Sequence, residues 1–412
     1  MSEDRPNIVL VTVDSLRADH CGFMGYEKDT TPNLDRMAED GVVFENAISP
    51  APFTEQSMPA IFTGYDVPPG DDDNFREHTQ KREMLPERLK RRGYRTAGFS
   101  PNPFASRSFG FEQGFDEFSD FFGNNSKSEI GRTMLSRIAG GDFIEAIRLS
   151  ANMAGYNIPG IGNQSIPLRS YYDRAIEWIE SGEEPFFLWL FLLEVHSPYR
   201  PTREYRSMWL PQMLYLNLVR SHLFDRDPTP EEIQQLRELY DGTIQVVDAA
   251  VERLMSDLES YDPILVFHSD HGEAFGEHDN LGHDDYLYEE NIHVPFFIAN
   301  GPESERIDAP VSLLKLSDIV TRLADERSLT SEVFDDELQT AQVNQQKVAV
   351  RGRSQKYILD ESGGRGYDLK IDPKELDPME QPEPELVGSA ASHVLSVEER
   401  IKITDAARGF EE

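Results

Sequence analysis

The stretch ILVFHSDHGEAFGEHDN, Ile264 to Asn280, carries an aspartate and a histidine, Asp270 and His271, straight from a short apolar run into Gly272. Near the N-terminus NIVLVTV, Asn7 to Val13, delivers a second aspartate, Asp14, in the same way. Carboxylate oxygens with an imidazole nitrogen make a ligand shell that divalent cations take, so a metal or substrate site is the leading reading. Each piece has a plainer use: Asp and His beside Gly often cap a turn, and Asp14 and Asp270 could cap helices that follow their strands.

For these residues to meet, their apolar runs must be neighbouring strands. Runs bounded this way read as buried strands, and open α/β sheets gather ligands at the carboxyl ends of such strands. Tyr94 to Ser100 and the run PFFLWLFLL before Glu194 read as further strands, as does Val294 to Ala299. The segment Thr31 to Gly41 reads as a helix, with Thr31 as cap, Pro32 in the first position and Gly41 at the end. In Pro52 to Gly64 hydroxyls open an apolar helix, with Thr54 or Ser57 available as its cap, and Thr229 to Leu258 reads as a long amphipathic helix entered through prolines.

The series PNIVLVTVDSLRADH, TTPNLDRMAEDGVVFENA, the Thr54 to Gly64 block, SDHGEAFGEH followed by GH and LYEENIHVPFFI, and finally VRGRSQKYIL with GYDLKIDPKE resembles the sulfatase branch of the alkaline phosphatase superfamily, in order and over most of the chain. That resemblance implies an α/β, alkaline-phosphatase-like three-layer sandwich with a mostly parallel central sheet and a smaller C-terminal α+β subdomain. The chain departs from the family at its nucleophile. Sulfatases carry a Cys or Ser, converted to formylglycine, within a Cys/Ser-x-Pro-x-Arg motif; Thr54, Gln56 and Met58 stand there instead, and formylglycine cannot form at Thr54. The family's aspartate pair is Val13-Asp14 here and its Asp-Asn pair is Asp270-His271. This pattern is similar to the threonine branch, which includes phosphodiesterases and phosphoglycerol and phosphoethanolamine transferases.

The resemblance implies a metal shell of Asp14, Thr54, Asp270 and His271. Thr54 would be the nucleophile, since a hydroxyl needs a base or a metal to lower its pKa. His283 stands where the family has a lysine and becomes the general acid. His196, in EVHSPY, inherits contact with the substrate oxyanion, and Asn102, in SPNPF, donates to it. His268, His278 and His293 read as supporting or structural, and Arg17 as a structural partner of Asp19. With no second complete ligand set, the expectation is one divalent ion, Mn, Zn or Mg rather than Ca. The implied function is hydrolysis of a phosphate or sulfate ester through a covalent Thr54 ester, with phosphate favoured by residue chemistry. The alternatives are transfer of a phospho group to a glycan or lipid-linked acceptor, or an inactive homologue that binds an anion or glycan.

A chain of 412 residues, 38% hydrophobic, can bury a large core beside a smaller unit. The formal net charge of −35, spread along the whole length, makes nucleic acid an unsuitable partner. Such diffuse acidity, with Arg favoured over Lys, resembles adaptation to a salt-rich cytoplasm, where self-repulsion is screened, the alternative being an acidic mesophilic enzyme. The single cysteine, Cys21, excludes an intrachain disulfide and reads as core packing. The acidic start is not a secretory signal, and no run reaches the length of a membrane span, so a cytoplasmic protein without an integral membrane segment is expected. Oligomeric state is not legible.

Residues 1–301 are expected to form the metal-bearing core, with inserts near 126–169 and 206–226, and 302–412 the smaller subdomain and acidic tail, with a helix at Ser396 to Gly409. Both inserts mix aromatic and aliphatic residues with few charges. They suit helices packed on the core, or a lid or docking face for a glycan or lipid-linked substrate.

Overall fold

Strand β1 (Ile8–Val13) is apolar on both faces: Ile8 and Leu10 join one buried cluster, while Val9, Val11 and Val13 join another. A strand of this kind needs cover on both sides, and that requirement makes the three layers. In the computed structural model, which describes residues 5–68, 72–122, 166–221, 226–283, 285–301, 303–326, 337–343 and 346–408 together with Phe224 and Leu329, helices lie on each face of one large sheet.

The sheet contains β1, β2 (Val42–Ile48), β3 (Arg95–Phe99), β4 (Glu117–Ser119), β5 (Phe186–Leu192), β6 (Ile264–Ser269), β9 (Phe296–Ala299) and β10 (Glu305–Ser312), in the order β10-β2-β9-β6-β1-β5-β3-β4. A short hairpin of β7 (Ala274–Phe275) and β8 (Leu281–Gly282) stands apart from it. Only β9 runs antiparallel to its sheet neighbours. β1 is flanked by β5 and β6 in parallel, with Val13 opposite both Leu192 and Ser269. The residues that follow these three strands therefore leave the sheet at one edge.

Helices Thr54–Thr63, Leu85–Lys90 and Leu316–Glu326 cover one face, and Pro32–Glu39, Tyr172–Glu180, Leu210–Arg220 and Pro230–Asp257 the other. The long helix is capped as its sequence suggests: Thr229 accepts from Glu232 N–H, and the Glu232 side chain returns to Thr229 N–H. Thr31 stands at the cap position as expected, but its side chain makes no cap bond. Its hydroxyl accepts from Gly22 N–H and donates to Asp35, while the free N–H groups of Asn33 and Leu34 reach Asp248 on the long helix.

The core does not stop at the boundary expected near residue 301. β10 pairs with β2 from Glu305 to Ser312, and the Leu316–Glu326 helix packs on Thr54–Thr63, because the buried series Val311, Leu313, Leu316, Ile319 and Val320 continues the main core. The smaller unit is an antiparallel sheet of β11 (Gln339–Gln342), β12 (Val348–Arg351), β13 (Gln355–Asp360) and β14 (Gly363–Asp368). Its helix runs Pro384–Arg408, beginning earlier than expected, with Leu386 and Ala390 packed against Val348, Val350 and Tyr357.

Insert 126–169 lies outside the described residues up to position 165. Insert 206–226 contains the Leu210–Arg220 helix, which buries Met213, Leu216 and Val219 and leaves Trp209 82% exposed. Among the described residues no helix is long and apolar enough to cross a membrane.

Candidate active site

The shared edge of β1 and β6 brings Asp14 to Asp270 and His271, all three at 0% exposure. Ser15, in the left-handed region at φ 62°, turns the chain back over the pair. Its N–H donates to Asp270 Oδ1 at 3.2 Å and its hydroxyl to Asp14 Oδ1 at 2.8 Å. Ser269 Oγ donates within reach of the carbonyls of Val13 and His271, tying the two strand ends together. Gly272 is required by close approach, since an added Cβ would sit 2.0 Å from the Glu290 carbonyl oxygen.

Thr54 does not cap its helix. It is the first helical residue, Phe53 occupies the cap position without a side-chain bond, and the Thr54 hydroxyl donates to Asp270 Oδ2 at 2.8 Å, with His271 Nε2 at 3.2 Å. His271 Nδ1 is 2.8 Å from the Gly272 carbonyl, an acceptor only, so Nδ1 carries the proton and Nε2 presents a lone pair. That lone pair faces Asp14 Oδ1 and Asp270 Oδ2, each at 3.6 Å.

One ligand atom from each of Asp14, Asp270 and His271 lies within 4.8 Å of the others. Burial, and then the charge of Asp14, push the Asp270 carboxyl well above its usual range. Burial also draws His271 down to about 4, with the charge of His283 acting in the same direction. Two buried carboxylates facing a neutral imidazole, with the imidazole fixed by a backbone carbonyl, fit a divalent cation. Val13, where the resemblance places another aspartate, is core.

The other expected residues gather around this cluster. Asn102 Nδ2 donates to Asp14 Oδ2 at 2.7 Å and lies 3.4 Å from Thr54 Oγ1, while its Oδ1 accepts from Phe104 N–H. The amide thus holds a carboxylate of the cluster as well as facing the hydroxyl. The His283 ring centroid is 4.6 Å from that of His271 and 5.4 Å from that of His196. His196 Nδ1 bonds the Ser197 carbonyl at 2.6 Å, and burial lowers its pKa.

Sequence reasoning missed Glu273 and Arg220. Glu273 is fully buried, with Oε2 3.6 Å from His283 Nδ1, and Arg220 Nη2 lies 2.8 Å from its Oε1. Burial opposes the charge on Glu273, but Arg220 overrides it and holds the carboxyl far below its usual range. For His283 burial pulls downward and Glu273 wins, raising the imidazole to about 9. Glu273 lies two positions beyond His271 and was open to inspection, whereas Arg220 sits in an insert that carries no motif. Arg17 is structural as expected, gripping Asp19 through two bonds and Glu277 through a third. His268 bonds Thr12, His293 the Glu45 carbonyl, and Cys21 is buried.

The arrangement offers a buried cluster able to hold a cation, a hydroxyl at its edge and two partly exposed imidazoles beyond it. A family model described as Sulfatase matches residues 6–325. A sulfatase of Formosa agariphila is 25% identical over 90% of this chain and 78% of its own length. An arylsulfatase of Clostridium perfringens is 27% identical over 78% of this chain and 74% of its own. Among solved structures, the phosphonate monoester hydrolase of Agrobacterium radiobacter superposes with a TM-score of 0.66 at 18% identity, covering 96% of each chain.

Proposed function

Since the chain belongs to the sulfatase family, and so to its ester hydrolases, we propose that it hydrolyses a phosphate ester, or less readily a sulfate ester, with Thr54 as the nucleophile. The observation that carries this reading is the Thr54 hydroxyl, 2.8 Å from Asp270 Oδ2 and 3.2 Å from His271 Nε2 and engaged in no helix cap. Asp14, Asp270, His271 and Thr54 would hold one divalent ion, Mn, Zn or Mg, which when bound would lower the hydroxyl pKa and draw charge from the ester oxygens.

Thr54 Oγ1 gives its proton to Asp270 Oδ2, 2.8 Å away, and forms the new bond to phosphorus or sulfur as the bond to the leaving oxygen breaks, and the His283 imidazolium gives that oxygen its proton. Water then attacks the Thr54 ester and gives a proton to His283, while the departing Thr54 oxygen recovers its own from Asp270. Asn102, 3.4 Å from the hydroxyl, can donate an amide N–H to an ester oxygen, and His196, whose Nδ1 proton is taken by the Ser197 carbonyl, can do so through Nε2 only as the imidazolium. Phosphate is preferred because a threonine cannot become formylglycine and because Met58, in place of the family's arginine, is fully buried. The exposed Trp209, Leu210 and Tyr215 on the helix that ends at Arg220 suit a large substrate, a glycan or lipid-linked ester.

The test is turnover of matched aryl phosphate monoester, phosphodiester and sulfate ester in high-KCl buffer with Mn, Zn, Mg or Ca, beside Thr54→Ala. A phosphoester should turn over fastest, and Thr54→Ala should lose at least about 10⁴-fold. Sulfate turnover that survives Thr54→Ala would overturn the assignment.

A further inference from the structure

A second set of ligand atoms closes about residues that the sequence keeps far apart: His278 in the loop after β7, Glu290 in the short helix Glu289–Ile292, and Glu375 beyond β14. One atom from each lies within 4.8 Å of the other two, and His278 Nε2 is 3.9 Å from Glu290 Oε1. We propose that His278, Glu290 and Glu375 form a structural site for a divalent transition metal, Zn²⁺ or Mn²⁺, that clasps the C-terminal unit to the active-site loop.

Three observations carry this. The first is an orphaned oxygen: Glu290 is 7% exposed, and its Oε1 is buried without a hydrogen-bond partner. A buried carboxylate in that state is costly unless a cation or a proton joins it. The second is the orientation of His278. Nε2 also lacks a hydrogen-bond partner, and Tyr288 stacks on the ring at 3.5 Å and 4°. Nε2, on the Glu290 side of the ring, is thus the atom open to a metal ion. Two consecutive left-handed residues, His278 at φ 52° and Asp279 at φ 57°, hold it there.

The third is the local charge. Lys356 lies 2.9 Å from Glu375 Oε1 and 3.1 Å from Glu289 Oε1, and Arg351 lies 3.2 Å from Glu289 Oε2. Two cations thus serve Glu289 and Glu375, and neither of them pairs with Glu290. Ligand bonds of about 2.1 Å put donor atoms roughly 3–4 Å apart, so only modest closure is needed. The site would also brace the catalytic loop, since the Glu290 carbonyl accepts from Glu273 N–H at 2.9 Å.

The test is metal content per chain after loading with Zn²⁺ or with Mn²⁺ and dialysis, for wild type, Glu290→Gln, His278→Ala and Asp270→Ala, with circular dichroism as the folding control. Two ions are expected in wild type and one in each variant. One ion that survives Asp270→Ala and vanishes in Glu290→Gln would still support this site and count against the cluster at Asp14. One ion in wild type, retained by Glu290→Gln, would overturn the proposal and leave a proton shared among the carboxylates. If the variants fail to fold, anomalous scattering from Zn²⁺-loaded wild-type crystals decides: a peak beside His278 Nε2 supports the site, and none there overturns it.

Discussion

Arg220 Nη2 lies 2.8 Å from Glu273 Oε1, and this ion pair ties the helix of insert 206–226 to the loop that follows His271. Through its other nitrogen Arg220 also donates to Ser197 Oγ at 2.7 Å, beside His196. One guanidinium thus positions the neighbours of both outer histidines.

Removing it should be costly. Arg220→Ala leaves the fully buried Glu273 carboxylate with His283, 3.6 Å away, as its remaining charged neighbour, and breaking a buried pair from one side costs up to about 3–5 kcal/mol. Arg220→Lys keeps the charge but not the fork, so it should recover part of the stability while Ser197 loses its donor. Urea denaturation of the three proteins measures this. A loss below about 1 kcal/mol for Arg220→Ala would mean that the pair does not hold the loop.

His283 should act on the leaving group. If it gives a proton to the departing oxygen, His283→Gln should slow esters of poor leaving groups by about 10²–10⁴-fold and spare those of strongly acidic phenols. Plotting log kcat/KM against leaving-group pKa for both proteins tests this. Parallel lines would assign His283 to binding instead.

Legibility followed distance along the chain. β1 and β6 were readable because a strand buried on both faces is a continuous apolar run, and Asp14, Asp270 and His271 at their ends came with them. Thr54 was found only by resemblance, since a hydroxyl at a helix start has the composition of a cap; the structure shows that Phe53 holds that position. The boundary near residue 301 failed because ERIDAPVS, with its interior Pro310, does not look like a sheet strand, yet β10 sits at the sheet edge where proline is tolerated. The cluster of His278, Glu290 and Glu375 joins residues up to 97 positions apart (375 − 278), which no local pattern reveals.

The exposed aromatics of the Leu210–Arg220 region offer a separate test of substrate size. Trp209 is 82% exposed and Tyr215 42%, with Met213 and Leu216 holding the helix from beneath. A Trp209→Ala, Tyr215→Ala double variant should keep its turnover of a small aryl ester and raise KM severalfold for a glycan or lipid-linked ester. Unchanged KM on the large ester would remove this face from substrate binding.

Stability at low pH should depend on Asp241. Its carboxylate accepts from His20 Nδ1 and Lys28 Nζ, both at 2.7 Å, and from Tyr26. Burial works against the charge, but His20 and then Lys28 outweigh it, so the folded carboxyl sits below its usual value. A depressed carboxyl stabilises the fold above the unfolded pKa, about 3.9, and that contribution disappears as pH falls through the lower folded value. Asp241→Asn should therefore cost about 1–3 kcal/mol at pH 7, and the gap from wild type should narrow from about pH 5 downward. Denaturation curves for both proteins across that range measure it, and a gap that stays constant to pH 2 would show that the carboxylate charge contributes nothing there.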